Sequence, residues 1–178
     1  MDAKNYCRYG MLFILSGLLL ACSNTVQVSG KVGLGTAVNE NQIRKWDIDV
    51  GPSGAGLPPG SGTVLTGEVI YQQQCANCHG DKGQGGLANR LVGGGGFNTQ
   101  NPVKTVGSFW PYATTIFDYN KRAMPHHSPQ SLSDDQVYAV TAYILFMNKI
   151  IDKDAVMNAK TLPLVRMPNR DGFVPVIR

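Results

Sequence analysis

No apolar stretch of this chain is long enough to cross a bilayer as a helix. The most apolar segment, Met11 to Ala21, falls short of the roughly 20 residues such a span requires. Concentrated charge is also missing. Sixteen Lys and Arg stand against twelve Asp and Glu, a net charge of +4 spread along the sequence. That argues against a nucleic-acid role, which needs a basic patch or stripe. Cysteine is scarce, with four in 178 residues, at positions 7, 22, 75 and 78. Glycine (21) and proline (10) are plentiful, so the chain should be rich in loops. Its length suits one domain with appendages.

Two of the four cysteines fall in Cys75-Ala76-Asn77-Cys78-His79. C-x-x-C-H is the attachment pattern of a covalent c-type haem, in which both thiols form thioethers and the adjacent histidine becomes the proximal iron ligand. The alternative is a zinc or redox C-x-x-C beside a chance histidine. It would need a second ligand pair or a thioredoxin-like βαβ pattern, and the sequence offers neither. The pattern occurs once, so one haem c is expected.

Lys4 and Arg8 precede the apolar run, as in an export leader. Leu19-Leu20-Ala21-Cys22 resembles a bacterial lipobox. Residues 1–21 are therefore expected to be a lipoprotein signal peptide, with Cys22 lipid-modified and the protein periplasmic, anchored to a bacterial membrane. An ordinary cleaved leader or an uncleaved anchor is the alternative. With Cys7 removed, Cys22 lipidated and Cys75 and Cys78 holding haem, no thiol is left for a disulfide.

Residues 22–62 read as a tether and extended arm, ending in turn-forming GPSGAGLPPGSG. Residues 63–150 form the expected domain. Thr66 is a plausible N-cap for a helix from Gly67 to about Gln74, which places Gly67 and Tyr71 on one face. Leu91-Val-Gly-Gly-Gly-Gly96 must be loop, read either as a close wall of the haem or as plain flexibility. A second helix is expected from Trp110-Pro111 to Arg122, closing before Met124-Pro125. Ser133-Asp-Asp-Gln136 is a capping box that opens the clearest helix, running to about Asn148. Pro163, Pro168 and Pro175 make residues 151–178 an extended strap.

Haem-binding helix, glycine loop, Met-Pro and capped C-terminal helix occur in the order that resembles class I cytochromes c. The fold expected is all-α, a class I cytochrome c with extended N- and C-terminal arms. In that family a small residue on the first helix crosses an aromatic on the last, parts that Gly67, Tyr71 and Tyr143 would play. The position of Met124 matches the family's sixth ligand, a thioether that stabilises ferrous iron. His126 and His127 adjoin it and are rival ligands. Met147 reads as core, and Met157 and Met167 lie beyond the expected domain. His79 should donate its second ring N–H to a carbonyl near Leu91 to Gly93. Arg90, Trp110, Tyr112 and Arg122 are candidate donors to the haem propionates, which need partners when buried.

Two longer stretches carry a closer resemblance: WDIDVGPSGAGLPPGSGT (Trp46–Thr63), and VGSFWPYATTIFDYNKRAMP (Val106–Pro125) followed by SPQSLSDDQVYAVTAYIL and KTLPLVRMPNRDGF (Lys160–Phe173). Together they resemble the cytochrome subunit of Sox-type sulfite (sulfane sulfur) dehydrogenases. The resemblance implies a molybdenum-cofactor dehydrogenase subunit as electron donor and a soluble cytochrome c as acceptor. The chain would be an electron-transfer subunit, not catalytic alone, with both arms wrapped on the partner. The alternatives are a membrane-tethered general cytochrome c serving another dehydrogenase or oxidase, a haem peroxidase or gas-binding protein with open iron, and a structural lipoprotein with a degenerate motif.

Overall fold

The structure, a computed structural model, describes residues 33–97 and 99–174. The expected leader and the lipid site at Cys22 lie outside them. Residues 33–39 are exposed and carry no helix or strand. From Glu40 onward the chain forms one compact unit. Its elements are α1 (Glu40–Ile43), β1 (Ser61–Thr63), α2 (Val64–Gln74), α3 (Ala76–His79), α4 (Ala113–Ala123), α5 (Asp134–Met147), β2 (Val156–Asn158) and a 3₁₀ turn (Leu162–Leu164). None of these helices is long and apolar enough to cross a membrane.

Helix α2 begins one turn earlier than the sequence suggested. Thr63, not Thr66, is the N-cap, and Thr66 fills the third helical position of a reciprocal capping box. Each backbone N–H of the pair reaches the other's hydroxyl at 3.2 Å. A threonine can take the place usually held by Glu or Gln because its hydroxyl also satisfies an otherwise orphaned N–H. Helix α5 opens as expected: Ser133 caps it, Gln136 closes the box, and Asp134 and Asp135 sit in its first turn against the helix dipole. Helix α4 starts at Ala113, with Tyr112 as its cap residue, so Trp110 and Pro111 lead into it without being helical.

Helices α2 and α5 cross at Gly67. A Cβ there would meet the Ala139 carbonyl and lie 2.9 Å from Tyr143 Cβ. Next to this contact the Tyr71 and Tyr143 rings pack with centroids 5.3 Å apart. Nine consecutive residues of α5, Val137 to Leu145, are buried, because the helix is enclosed on all sides. Against it lie Phe117 of α4, whose ring is 4.4 Å from that of Tyr138, and Val64 and Tyr71 of α2.

The fold is mostly helical, and two findings refine the expectation of an all-α domain with extended arms. First, β1 pairs antiparallel with β2, matching Ser61 to Asn158, Gly62 to Met157 and Thr63 to Val156. Second, the C-terminal strap packs inward instead of extending away. Met157, Leu162 and Met167 belong to the hydrophobic core, and Asn169 Nδ2 donates to the Phe109 carbonyl at 2.7 Å. Met167 is therefore core, not a residue beyond the domain. Period analysis could not show this, because single apolar residues between prolines carry no repeat. The arm before β1 is also docked. Val50 N–H donates to Asp118 at 2.8 Å, Thr114 hydroxyl to Pro52 O at 3.2 Å, and Tyr138 hydroxyl to Pro58 O at 2.8 Å. Gly56 makes the turn of this arm, with φ +86° and no room for a Cβ beside the Asp49 carbonyl.

Gly67→Ala tests the helix crossing. Alanine would favour the helix by about 1 kcal/mol, but the added methyl has no space against a backbone carbonyl, and overpacking of this kind costs about 1–3 kcal/mol or more. The net result should be a lower melting temperature of the purified protein. An unchanged or raised value would show that the two helices can separate freely.

Candidate haem site

The C-x-x-C-H pentapeptide sits where two helices meet. Cys75 ends α2 and starts α3, leaving helical geometry at φ −122°, ψ −38°. This break redirects the chain so that both thiols and the imidazole come from one short turn. Cys75 and Cys78 are free and half-buried. Burial, with the nearby Cys78 as the second cause, pushes the Cys75 thiol up to about 11. It is therefore a neutral thiol at ordinary pH, not a thiolate poised for redox exchange.

His79 Nδ1 lies 2.7 Å from the carbonyl oxygen of Asn89. A carbonyl only accepts, so Nδ1 carries the proton and Nε2 keeps its lone pair for a metal. The acceptor lies just upstream of the expected Leu91–Gly93 stretch. It is placed by a hydrogen-bonded loop, with Ala88 N–H on Cys78 O and Gly85 N–H on His79 O, both at 2.8 Å, and Leu91 N–H on Gly83 O at 2.8 Å. The buried Tyr71 donates to Gly80 O at 2.8 Å, and burial raises its phenol above the ordinary tyrosine range. Asn148, the C-cap of α5, donates to Leu91 O at 3.1 Å and accepts from Gly93 N–H at 3.2 Å. The start of the glycine run is therefore held in place by hydrogen bonds.

Met124 is the half-buried C-cap residue of α4 and precedes Pro125 through a cis peptide bond. His126 and His127 are both exposed. Among the other methionines, Met157 and Met167 are core. Met147 is half-buried and lines a cavity of about 600 Å³ with Val92, Phe97, Asn148 and Pro168, among others, away from the cysteines and His79.

The four propionate candidates differ. Arg90 is exposed, and Trp110 is half-buried with its ring edge-on to Tyr119 at 5.7 Å. Tyr112 lies beneath the Arg170 guanidinium, 4.0 Å from its ring centroid. Arg122 is committed elsewhere. It grips Asp118 with two N–H donors, Nε at 2.9 Å, and that hydrogen bond raises its pKa. Sequence reasoning passed over Asp118, Asn89 and Asn148. Asp118 four residues before Arg122 was the one visible signal, a helical ion-pair spacing.

Among the described residues no three His, Cys, Asp or Glu side chains converge on a possible metal position, so the zinc reading finds no further ligands. Two thiols beside an imidazole whose Nε2 is left for a metal instead fit a covalently held haem.

Comparison with known proteins agrees. The family described as cytochrome C oxidase, cbb3-type, subunit III, matches residues 62–144. Thiosulfate dehydrogenase of Stutzerimonas stutzeri (strain A1501) is 37% identical over 92 residues, which make up 49% of this chain and 28% of that protein. The chain thus spans little more than a quarter of that curated relative. The crystal structure of the sulfane dehydrogenase SoxCD from Paracoccus pantotrophus superposes with a TM-score of 0.77 at 43% identity, covering 82% of this chain and 73% of that one. The chain belongs to the Sox-type cytochrome c subunits. In this Sox-type cytochrome the helical core around α2 and α5 is the class I cytochrome c fold, and β1–β2 and the docked strap are built onto it.

Asp118→Ala would leave the buried Val50 N–H without an acceptor, whereas Arg122, half-exposed, can turn to water. A loss of about 1–3 kcal/mol is expected, read as a lower urea midpoint. No loss would mean that the arm is not anchored through this carboxylate.

Proposed function

We propose that this chain is a haem c electron-transfer subunit that accepts single electrons from a molybdenum sulfite or sulfane dehydrogenase subunit and passes them to a downstream cytochrome. The observation that carries the reading is the His79 imidazole, tied through Nδ1 to Asn89 and left with a free Nε2 beside two free thiols. A bound haem supplies one-electron redox chemistry. Cys75 and Cys78 would hold it, His79 and Met124 would ligate its iron, and Arg90, Trp110 and Tyr112 would be donors for its propionates. Arg122 would have to leave Asp118 to join them. Two protein ligands would leave the iron no place for a substrate, so the group would supply electron transfer alone. Oxidation at molybdenum releases two electrons, so the cytochrome must be reduced and reoxidised twice per turnover. A periplasmic location with a lipid anchor at Cys22 belongs to the same reading.

The C-terminal strap puts Met157, Leu162 and Met167 into the chain's own core while leaving Leu164 and Val174 exposed, and the N-terminal arm presents Trp46, 86% exposed, from a turn held by Trp46 N–H on Ile43 O at 2.8 Å. Exposed tryptophans are favoured anchors of protein interfaces. Trp46 is the contact we assign to the dehydrogenase subunit.

Purification from the native membrane fraction should bring down a molybdenum protein, and sulfite should reduce the haem of that complex. Haem reduced only by other dehydrogenases, with no molybdenum present, would favour the general carrier. Met124→Ala should abolish the weak near-infrared sulfur-to-iron band of the oxidised protein and let the ferrous form bind carbon monoxide. A band that survives would remove Met124 from the iron. Trp46→Ala should reduce co-purification of the dehydrogenase subunit with the haem spectrum unchanged, and undiminished pairing would free the arm of this role.

A further inference from the structure

Two buried side-chain atoms among the described residues lack a hydrogen-bond partner, Asn120 Nδ2 and Thr141 Oγ1. A buried donor left unpaired is costly, so each needs an explanation. A threonine hydroxyl in a helix can rotate onto a carbonyl of the preceding turn, and the Thr141 vacancy requires nothing else. Asn120 is different. An asparagine can bond the carbonyl four residues back, as Asn148 Nδ2 does to Ile144 O at 2.9 Å. Asn120 forms no such bond, so its amide is turned away from its own helix, although the residue is buried.

Its position supplies a partner. Asn120 stands one turn before Met124, and its backbone carbonyl accepts the Met124 N–H at 3.2 Å. Met124 itself has left the helix, at φ −120°, ψ 148°, and is half-buried. Ile116 and Phe117, on the same buried side of α4, offer only hydrocarbon. The Met124 thioether, one turn beyond Asn120, is a weak acceptor with two lone pairs.

We propose that Asn120 is a positioning residue for the sixth ligand: in the haem-loaded protein its amide N–H donates to Met124 Sδ, leaving the other sulfur lone pair for iron. This rests on Met124 being the ligand. The bond would fix the orientation of the sulfur and draw electron density from it. The sulfur then donates less strongly to ferric iron, which favours the reduced state.

The test uses the mature haem protein carrying Asn120→Leu, which keeps the volume and removes the donor. The near-infrared sulfur-to-iron band should move. At a fixed ambient potential the oxidised-to-reduced ratio should rise about threefold to tenfold, the span of one ordinary hydrogen bond. The two possible roles of Asn120 give opposite signs in stability. If its amide is bonded in the loaded protein, the Leu variant melts lower. If it is an unpaired buried donor, Leu relieves it and the protein melts higher, with band and potential unchanged, and that result would overturn the proposal. Should Asn120→Leu fail to accumulate, Asn120→Ala carries the same spectral and potential readouts. Wild-type protein without the band would refute Met124 as ligand and with it this inference. A wild-type band that neither Asn120 variant moves would refute Asn120 alone.

Discussion

The close approach of α2 to α5 at Gly67 organises the rest of the molecule. The absent side chain lets the Ala139 carbonyl reach the backbone of α2, and the Tyr71–Tyr143 pair locks the rotation of the two helices next to that point. Tyr71 then uses its hydroxyl to hold Gly80, so one residue packs the crossing with its ring and positions the segment after His79 with its oxygen. At its far end α5 ties Leu91 and Gly93 through Asn148. The loop that carries the Asn89 carbonyl is thus held at both ends, and the tautomer of His79 follows from backbone placement instead of from another side chain.

Polar anchors do much of the remaining work. Asp118 receives both Arg122 and the Val50 amide, so a single carboxylate on α4 fixes the arm that precedes β1. Asp135 serves a similar end at the other helix, accepting from Ser61 N–H at 2.7 Å. Both aspartates face segments distant in sequence. A buried backbone N–H must find an acceptor, and in a domain with only two three-residue strands, side chains supply much of what a sheet would otherwise provide.

What the sequence disclosed follows the range of the forces involved. The Ser133–Gln136 box and the C-x-x-C-H turn are local chemistry, written in adjacent residues, and both were legible. The Gly67–Tyr71–Tyr143 contact became legible once a family resemblance supplied the partner. The N-cap of α2 was misplaced by three residues because Thr63 and Thr66 are chemically equal as caps, and the β1 strand that decides between them depends on residues 156–158. The docked strap was illegible for the same reason. Leu162 and Met167 look like stray apolar residues among prolines until the surface they cover is known. Arg122 read as an available cation, and only the three-dimensional neighbourhood shows its charge already matched.

The pairing of β1 with β2 also bears on the order of events in biogenesis. Ser61 and Asn158 are far apart in sequence, so the base of α2 is completed only when residues 156–158 reach it. A folding chain therefore holds the turn of Cys75 and Cys78, at the other end of α2, on an unfinished scaffold until that pairing closes.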